Sequence, residues 1–417
     1  MDERGMHIVV FSTLFPNAAA PHAGLFIRER MFRVAQWLPL TVVAPVPWFP
    51  FQFLVRRWRP NFRPWVQHRE QQSGIDVLHC RFLSFPGIFK RLDGVLLALG
   101  SLPTLWRLKR KGRLDVIDAH FGYPDGHAAT LVGRWLGVPV TVTLRGTEVR
   151  HAATPAIAPR LRRALGCAER IFSVSTSLSE LALGLGVAPD KVRVVGNGVD
   201  TARFYPLPQS QARAALRIPA DAKVLISVGG LTERKGFHRV IELLPELRER
   251  FPGLVYLVVG GASAEGDWRA RLERMARERG VADIVRFLGV VEPDALKVPL
   301  SAADVFVLAT RNEGWANVFL EAMACGVPVV ATDVGGNGEV VCRPELGTIV
   351  PFGDSAALLA ALCAALGRRW DHDALVAYAC DNDWSKRVTE LVEEFTALAR
   401  RDGVARRDLP AEGGAHG

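Results

Sequence analysis

Short apolar runs alternate with amphipathic stretches along the whole chain. A short apolar run between turn residues is typical of a strand buried on both faces, and the stretches between the runs have helical spacing. In the first half, strands are predicted over 7–12, 40–44, 115–120, 138–144, 171–174 and 192–195. In the second half they are predicted over 224–228, 255–259, 285–288, 305–308 and 327–331. Predicted helices include 26–37, 177–185, 235–250, 266–279, 317–325 and 354–366. Alternating βα units predict an α/β fold with parallel sheets covered on both faces.

A break in this pattern divides the chain of 417 residues. Tyr205-Pro206-Leu207-Pro208 and the polar stretch after it interrupt the βα units, so we place a linker over 201–221. The length suits two Rossmann-like, doubly wound domains, 1–203 and 204–383, with a cleft between the carboxyl edges of their sheets. The residues from 403 to 417 are rich in Gly, Ala and charge, which indicates a disordered tail.

Charge and cysteine content indicate which kind of partner and which cellular compartment to expect. Residues 1–205 carry 27 Lys and Arg against 14 Asp and Glu, whereas residues 206–417 carry 25 against 29. The first half is therefore expected to meet something anionic. The six cysteines form no Cys-x-x-Cys pair, which fits a reducing compartment. The start of the chain has no signal-peptide pattern, and the run Gly94–Leu102 is too short to span a bilayer, so a cytoplasmic protein is expected.

Segment 47–68 interleaves seven aromatic residues with arginines, and a second basic cluster runs over 107–113. This composition favours contact with an anionic membrane surface, which would make the protein peripheral on the inner face of the membrane. A loop folded on its own hydrophobic residues is an equal alternative. Aromatic and arginine side chains also suit single-stranded nucleic acid, but no nucleic-acid partner is expected.

The strongest chemical signal is Glu313-Gly-Trp-Ala-Asn-Val-Phe-Leu-Glu321, which follows a predicted strand. A helix beginning near Asn317 would point free N–H groups and its positive dipole end at a phosphate. Glu313 and Glu321 would then lie on either side, where each carboxylate can accept from a polyol. The alternative is an ordinary helix with an acidic first turn.

A basic pair supports the phosphate hypothesis. Gly229 and Gly230 permit a tight turn after the strand 224–228, and Arg234 and Lys235 stand at the start of the next predicted helix. Cations are disfavoured at a helix N-terminus, so this pair indicates a compensating diphosphate. A solvated basic turn is the alternative.

Two Asp-x-Asp patterns could suggest a metal: Asp371-His-Asp373 and Asp381-Asn-Asp383. Both lie late in the chain, in a helix-rich segment, and are interpreted as helix-start residues. We therefore expect no metal and no other cofactor.

Taken together, these motifs resemble the donor domain of glycosyltransferase family 4. Arg234-Lys235-Gly236, Phe287-Leu-Gly-Val-Val, Ala303-Asp-Val-Phe-Val-Leu, the two glutamates and Met323-Ala-Cys-Gly-Val-Pro occur in the family's order over about 223–352. The first half matches more loosely, through Phe15-Pro16 with Gly24-Leu-Phe-Ile-Arg28, Val116-Ile-Asp-Ala-His120, and Thr143-Leu-Arg-Gly-Thr-Glu148. The resemblance implies the GT-B fold, with an acceptor domain over 1–203, a donor domain over 204–383 and a helix at 384–400 that returns to the first domain.

The resemblance also implies roles for particular residues. The donor diphosphate would be held by Gly24, Gly230, Arg234, Lys235, Asn317 and Val318. The donor sugar would be held by Glu313, Gly314, Trp315 and Ala316, the ribose by Glu321, and the base would face Leu288, Gly289 and Val290. Glu313 and His120 would lie at the reacting sugar. Arg145 and Glu148, which replace the family's His and Asp, would contact the acceptor.

The implied activity is a retaining, metal-independent transfer from a UDP- or GDP-linked sugar to a glycan or lipid-linked saccharide in cell-surface polysaccharide assembly. A nucleotide-sugar epimerase of the same fold and a non-catalytic sugar-nucleotide-binding protein are the alternatives. A Rossmann dehydrogenase is disfavoured, because Ser12–Gly24 contains no Gly-x-Gly-x-x-Gly. The sequence does not choose between a same-face substitution and an oxocarbenium-like state stabilised by Glu313.

Overall fold

The computed structural model describes residues 6–21, 23–58, 62–263 and 265–407, with side chains to residue 398. The chain forms two compact units. The first comprises residues up to Val174, 178–195 and the chain from Arg387, and the second comprises 175–177 and 196–386. The units therefore divide at Val195 and Lys386, near the predicted bounds at 203 and 383.

The first unit is built on a sheet of eight strands in the order β10-β9-β8-β7-β1-β2-β5-β4. Its strands are β1 (Ile8–Phe11), β2 (Leu40–Val43), β4 (Arg69–Gln72), β5 (Ile75–Leu78), β7 (Val116–His120), β8 (Val140–Leu144), β9 (Arg170–Ser173) and β10 (Val192–Val194), while β3 (Val46–Trp48) and β6 (Arg81–Leu83) pair separately. All neighbours in the large sheet are parallel except the hairpin β4–β5.

Helices surround this sheet. They are α1 (Leu25–Val34), α2 (Gln52–Arg56), α3 (Asp93–Arg110), α4 (His127–Leu136), α5 (Thr147–Ala152), α6 (Ala158–Cys167) and α7 (Thr176–Gly184). From Arg387 onward, the last helix α16 (Trp384–Arg407) also belongs here, and Phe395 packs edge-on against Phe172 of β9 with ring centroids 5.5 Å apart. Helix α16 includes residues 403–407, which the sequence composition assigned to the tail. Residues 408–417 lie outside the described residues.

The second unit is built on six parallel strands in the order β13-β12-β11-β14-β15-β16. They are β11 (Lys223–Val228), β12 (Leu254–Val259), β13 (Val285–Gly289), β14 (Val305–Leu308), β15 (Val329–Thr332) and β16 (Gly347–Val350). The helices are α8 (Gln209–Ala215), α9 (Phe237–Arg250), α10 (Arg269–Glu278), α11 (Lys297–Ala302), α12 (Asn317–Ala324), α13 (Asn337–Val340), α14 (Ser355–Gly367) and α15 (His372–Asp381). This strand order is that of a doubly wound dinucleotide-binding sheet.

Both faces of the second sheet are buried, as the continuous apolar runs predict. Val224 and Ile226 of β11 point into one hydrophobic core, and Leu225 between them points into the other. Successive side chains of a strand alternate between faces, so each strand must be apolar throughout when helices cover both sides. This confirms the predicted α/β class with parallel sheets in two domains.

Candidate active site

The topology of each unit indicates where a ligand should bind. In a doubly wound sheet, ligands bind beyond the carboxyl ends of the strands where the strand order reverses. In the second unit this switch lies between the neighbouring strands β11 and β14. Arg234 and Lys235 follow β11, and Glu313 follows β14, so chain topology brings these three residues to one edge of the sheet.

Glu313 joins the two predicted cations. Its Oε1 accepts from Lys235 Nζ at 2.5 Å, from Arg234 Nη1 at 3.2 Å and from Thr310 Oγ1 at 3.3 Å. Its side chain is only 10% exposed. All three bonds use Oε1, and among the described residues Oε2 has no hydrogen-bond partner. Oε2 is therefore free to accept from a ligand hydroxyl.

Arg234 is shared between two carboxylates. Its Nε donates to Glu265 at 2.9 Å, and its Nη1 also donates to the carbonyl oxygen of Asn312 at 2.9 Å. Burial lowers the pKa of Arg234, but Glu265 and Glu313 together outweigh burial and raise it above the ordinary value. Sequence reasoning missed Glu265 and Thr310. Glu265 lies in a loop without a motif, but Thr310 lies three residues before Glu313, just beyond β14.

The basic pair lies in a turn and not at the start of a helix as predicted. Helix α9 begins at Phe237, after Gly236 with φ 77°. A side chain at Gly236 would overlap the carbonyl oxygen of Ala309, which follows β14. The turn therefore approaches the end of β14 closely, and this approach is what brings Lys235 to Glu313. Gly229 lies on the stem of Lys235, and Gly230 lies beside Ser263.

Helix α12 presents its N-terminus just beyond Glu313 and Gly314. Ala316 occupies the N-cap position and no side chain caps the helix. Asn317 is thus the first helical residue and not the predicted cap, because its Oδ1 accepts from Asn197 Nδ2 at 2.8 Å. Val318 follows within the first turn, where uncapped N–H groups and the helix dipole favour an anion. Glu321 lies one turn further along and is half-buried.

Close backbone packing fixes this loop. A side chain at Gly335 would overlap the carbonyl oxygen of Glu313, and one at Gly336 would approach the oxygen of Gly314 to 2.5 Å. On the other side, the ring of Trp315 lies against Gly196. The loop carrying Glu313 is therefore held between glycine-rich segments.

The residues predicted to face the base lie at the same carboxyl edge. Leu288 and Gly289 end β13, and Val290 follows with 60% of its surface exposed. Gly260 donates its N–H to the carbonyl oxygen of Gly289 at 2.7 Å. The structure thus gathers the predicted residues of the second unit along one edge, although their ligands remain predictions.

In the first unit, Gly24 begins helix α1 at the end of the loop that follows β1. It has φ 68°, and a side chain there would overlap the carbonyl oxygen of Leu14. The switch in this sheet lies between β1 and β7, so the Gly24 loop and His120 both follow strands at the switch.

His120 ends β7 and is fully buried. Its Nε2 lies 3.2 Å from Asp118 Oδ2, and its Nδ1 lies 3.0 Å from Arg145 Nη2. Burial lowers the pKa of His120 to about 4, against the opposing effect of Asp118. The imidazole is therefore neutral at pH 7, with Nε2–H toward Asp118 and the Nδ1 lone pair toward Arg145. Nδ1 accepts from Arg145 and Nε2 lies beside the Asp118 carboxylate, which fits a polar positioning group better than a proton acceptor.

Asp118 is a site neighbour that sequence reasoning missed. Burial raises its pKa, but His120, Thr141 and Arg30 together lower it below the ordinary value. Thr141 Oγ1 donates to Asp118 Oδ1 at 2.7 Å. Residues two apart on a strand share a face, so the Asp118–His120 pair was readable from the predicted strand.

Arg145 and Glu148 lie in the loop after β8. Arg145 is half-buried, and its guanidinium stacks 5.1 Å over the ring of Phe26. The buried carboxylate of Glu148 accepts from the backbone N–H groups of Gly122, Arg145 and Gly146 at 2.8–3.0 Å. Glu148 therefore holds two loops together through its carboxylate. Arg145, in contrast, directs its guanidinium at His120.

Asp371 and Asp383 cap helices, which fits the interpretation as helix-start residues, whereas Asp381 is the last residue of α15. Asp371 accepts from the N–H of Ala374 at the start of α15, and Asp383 accepts from the N–H of Ser385 at the start of α16. Over the parts of the chain that the structure describes, no three His, Cys, Asp or Glu side chains are grouped to hold a metal ion. Metal independence stays a prediction.

Two family models match the chain. The model for glycosyl transferases group 1 matches residues 208–379, and the model for glycosyltransferase family 4 matches residues 86–203. The first covers the strands and loops that carry Arg234, Lys235, Glu313 and Glu321.

Curated relatives and solved structures agree with these models. The D-inositol 3-phosphate glycosyltransferase 2 of Catenulispora acidiphila is 33% identical over 358 residues, which are 79% of this chain and 83% of the relative. The D-inositol 3-phosphate glycosyltransferase of Actinosynnema mirum is 33% identical over 351 residues, covering 78% and 83%. The HepE protein of Anabaena, solved in complex with UDP, superimposes with a TM-score of 0.71 at 18% identity over 94% of this chain and all of that one. Sucrose-phosphate synthase from Thermosynechococcus elongatus gives a TM-score of 0.68 at 21% identity, covering 97% and 99%.

The motif order, the two doubly wound sheets and these similarities lead to one conclusion: the chain belongs to glycosyltransferase family 4 and is a glycosyltransferase of the GT-B fold.

Proposed function

We propose that this glycosyltransferase moves a sugar from a UDP- or GDP-linked donor to a glycan or lipid-linked saccharide in cell-surface polysaccharide assembly. The proposed transfer retains the anomeric configuration and needs no metal. The observation that best supports the proposal is the Lys235–Glu313–Arg234 cluster at the switch point of the second sheet.

The cluster suits a departing nucleoside diphosphate. Departure of the diphosphate leaves negative charge, and preorganised donors aimed at that charge lower the barrier. Arg234 and Lys235 supply fixed cations, and the uncapped start of α12 supplies N–H groups and a positive dipole end. In this proposal these groups do the electrostatic work that a divalent metal does in other transferases.

The same cluster prepares Glu313 for the donor sugar. Lys235, Arg234 and Thr310 all hold Oε1, so the carboxylate is oriented with Oε2 left to accept from sugar hydroxyls. Glu321, one turn along α12, would accept from the ribose diol. Glu313 would also lie close enough to stabilise an oxocarbenium-like state, and in the same-face alternative the leaving phosphate takes the acceptor's proton.

The comparisons suggest which substrates to test first. HepE was solved with UDP and with UDP-glucose, so UDP-sugars come first among donors. The relatives that are 33% identical are named for D-inositol 3-phosphate, which makes a phosphorylated polyol the second candidate acceptor. The excess of Lys and Arg in residues 1–205 favours an anionic acceptor in either case. A lipid-linked acceptor would also bring the first unit, with segments 47–68 and 107–113, to a membrane surface.

The test is a product screen of UDP-, GDP- and ADP-sugars with lipid-linked saccharides and inositol phosphates, each with and without EDTA. We expect transfer that EDTA does not reduce and a product of retained configuration. Lys235→Ala should lower kcat by about 10²- to 10³-fold, since it removes one preorganised donor. Glu321→Ala should mainly raise KM for the donor.

The matched control is Lys386→Ala, which removes an exposed lysine whose single ion-pair partner among the described residues is Asp381. It should leave transfer unchanged. Loss of activity with EDTA would contradict the metal-free part of the proposal. Full activity of Lys235→Ala would contradict the diphosphate site itself, and transfer to inositol phosphate alone would replace the polysaccharide acceptor.

A further inference from the structure

Exposed apolar side chains are concentrated in one part of the first unit. Among the described residues, nineteen large apolar side chains are exposed, and eleven of these lie between residues 51 and 106. Monomeric proteins rarely expose apolar side chains in one contiguous area without a partner. This cluster of exposed apolar side chains therefore indicates a binding partner.

Helix α3 is apolar on two opposite sides. Its inner side packs in the unit through buried residues that include Leu97, Ser101, Leu105 and Leu108. The outer stripe consists of Leu92 just before the helix and Val95, Leu99 and Trp106 within it, spaced three, four and seven residues apart, and all four are exposed. That spacing keeps them on one side, where a surface helix normally carries polar residues.

A second exposed group continues this surface. The aromatic lip consists of Phe51, Phe53, Leu54, Trp58 and Trp65, each between 45% and 80% exposed. Its base is folded inward, because Phe49 is buried. The base of this segment is therefore folded inward, as the loop alternative predicts, while its tips face outward; membrane contact stays a prediction. Arg59 of this segment lies outside the described residues.

Aromatic contacts join the lip to the stripe. Phe85 packs against Phe49 at 6.4 Å and against Phe89 at 5.9 Å between ring centroids, and Phe89 lies just before α3. Trp48 and Leu99 also line one open hollow. The segments that carry the lip and the stripe are therefore in contact.

The charge around this surface is strongly positive. Residues 45–114 contain thirteen Lys and Arg but only three acids, Glu70, Asp76 and Asp93. Asp93 is paired with Lys90, and Asp76 with Arg69 and Arg113.

Two of the remaining cations line a cavity at the end of α3. Arg107 and Lys111 border a cavity of about 340 Å³, and neither has an ion pair among the described residues. Cations without an ion pair, at the end of the helix that carries an exposed apolar stripe, are complementary to an anionic lipid surface, whose headgroups supply phosphate and whose acyl chains supply apolar contact.

We infer that the outer stripe of α3 and the aromatic lip insert into the interfacial region of an anionic bilayer, with lipid phosphates held by Arg107 and Lys111. Helix α3 has 18 residues, about 27 Å, and would lie in the membrane plane. None of the helices in the described ranges is long and apolar enough to cross a bilayer. The inference goes beyond the proposed transfer reaction and rests on it only for the choice of a lipid-linked acceptor.

The experiment is co-sedimentation of the full chain with phosphatidylcholine vesicles and with vesicles containing 30% phosphatidylglycerol, about that fraction being enough to set a negative surface potential. We expect binding to the anionic vesicles only. The double variant Leu99→Ser/Trp106→Ser should bind at least about tenfold more weakly, since each side chain buried in an apolar phase contributes roughly that factor. Arg107→Ser/Lys111→Ser should weaken binding and reduce its dependence on salt.

The matched control is Trp135→Ser/Leu183→Ser, which removes a Trp and a Leu that are 47% and 38% exposed on other helices of the same unit. This control should bind like the parent. Because the stripe residues are exposed, all variants should keep the parent Tm and the parent rate with a water-soluble acceptor, which separates membrane binding from the transfer reaction.

Four results would overturn the inference. The first is equal vesicle binding by the stripe variant, and the second is no binding by the parent. The third is the loss of parent vesicle binding in 10 mM inorganic phosphate, about the concentration at which a free-phosphate site would fill, together with parent-like behaviour of the stripe variant. The fourth is a parent that is dimeric by sedimentation and a stripe variant that is monomeric, which would assign the surface to a second copy of the chain.

Discussion

Replacing Glu313 by Gln tests how the cation cluster is held together. The substitution keeps the shape of the side chain but removes the charge that Lys235 and Arg234 share. A hydrogen bond to a charged group contributes about 1.5–3 kcal/mol when well buried. The Lys235 bond, at 2.5 Å between side chains 17% and 10% exposed, lies near the middle of that range. The Arg234 bond adds less, because it is longer and Arg234 keeps Glu265.

We therefore expect Glu313→Gln to destabilise the second unit by about 2 kcal/mol, which lowers the Tm of a unit of this size by about 4–8 °C. The nucleoside diphosphate should show the opposite effect. With the carboxylate gone, Lys235 loses its ion pair with Glu313 and Arg234 keeps Glu265 alone among the described residues. UDP or GDP should therefore raise the Tm of the variant more than that of the parent. Transfer should fall at least about 100-fold.

Differential scanning fluorimetry with and without UDP and GDP measures both effects. Glu265→Gln is the control, since Glu265 is 51% exposed and Arg234 is its single ion-pair partner in the part of the chain that the structure describes, and exposed pairs contribute at most about 1 kcal/mol. A Glu313→Gln variant that loses no stability, or that gains no more from the nucleotide than the parent does, would show that Glu313 does not hold the cations.

Two further predictions concern stability. Because His120 has a pKa of about 4 in the folded chain against 6.5 in the unfolded chain, only the unfolded state takes up its proton as pH falls through that window, and stability should drop by about 3 kcal/mol. Burial raises the pKa of Asp125 to about 7, so this group acts oppositely and stabilises as pH falls from about 7 to about 4. The urea midpoint should therefore fall less steeply with decreasing pH in this window for His120→Asn and more steeply for Asp125→Asn. The reverse order would refute both assignments. Gly236→Ala should destabilise by more than about 1 kcal/mol, because its φ is 77° and its side chain would overlap Ala309, whereas Gly166→Ala, in an open position within α6, should stabilise by up to about 1 kcal/mol. Thermal melts compare the two, and equal Tm values would contradict the close approach.

The sequence predicts the central strands of both sheets well but misses β4 and β5 at one end of the first sheet and β16 at one end of the second. The predicted 305–308 matches β14, and 224–228 lies within β11, since strands covered on both faces are apolar throughout. The predicted 327–331 begins too early, because Pro328 supplies only its carbonyl to Phe306. Strand β4, with the sequence Arg-Glu-Gln-Gln, was missed because an antiparallel edge strand has no apolar face to reveal it.

The candidate site was predictable where a motif carried it. Arg234, Lys235 and Glu313 follow strands that become neighbours, so their meeting follows from topology and chain order. The role of Glu265 could not be predicted, since nothing in the sequence of its loop indicates that it would bind Arg234. The missed outer stripe of α3 has a different cause: the apolar run at 94–102 was tested only as a membrane span, and its solvent exposure is a property of the folded unit.

The inward-facing carboxylate of Glu313 has a consequence for how the donor would be recognised. Without nucleotide, the second unit already carries its own counterion, so its phosphate-seeking groups are neutralised by the protein and not by dissolved salt. A donor would then exchange one internal partner for another, releasing few ions from solution. The affinity for the donor would therefore change little with ionic strength. Other anions, which cannot also bind Oε2 of Glu313, would not bind tightly enough to replace the Glu313 carboxylate at the two cations.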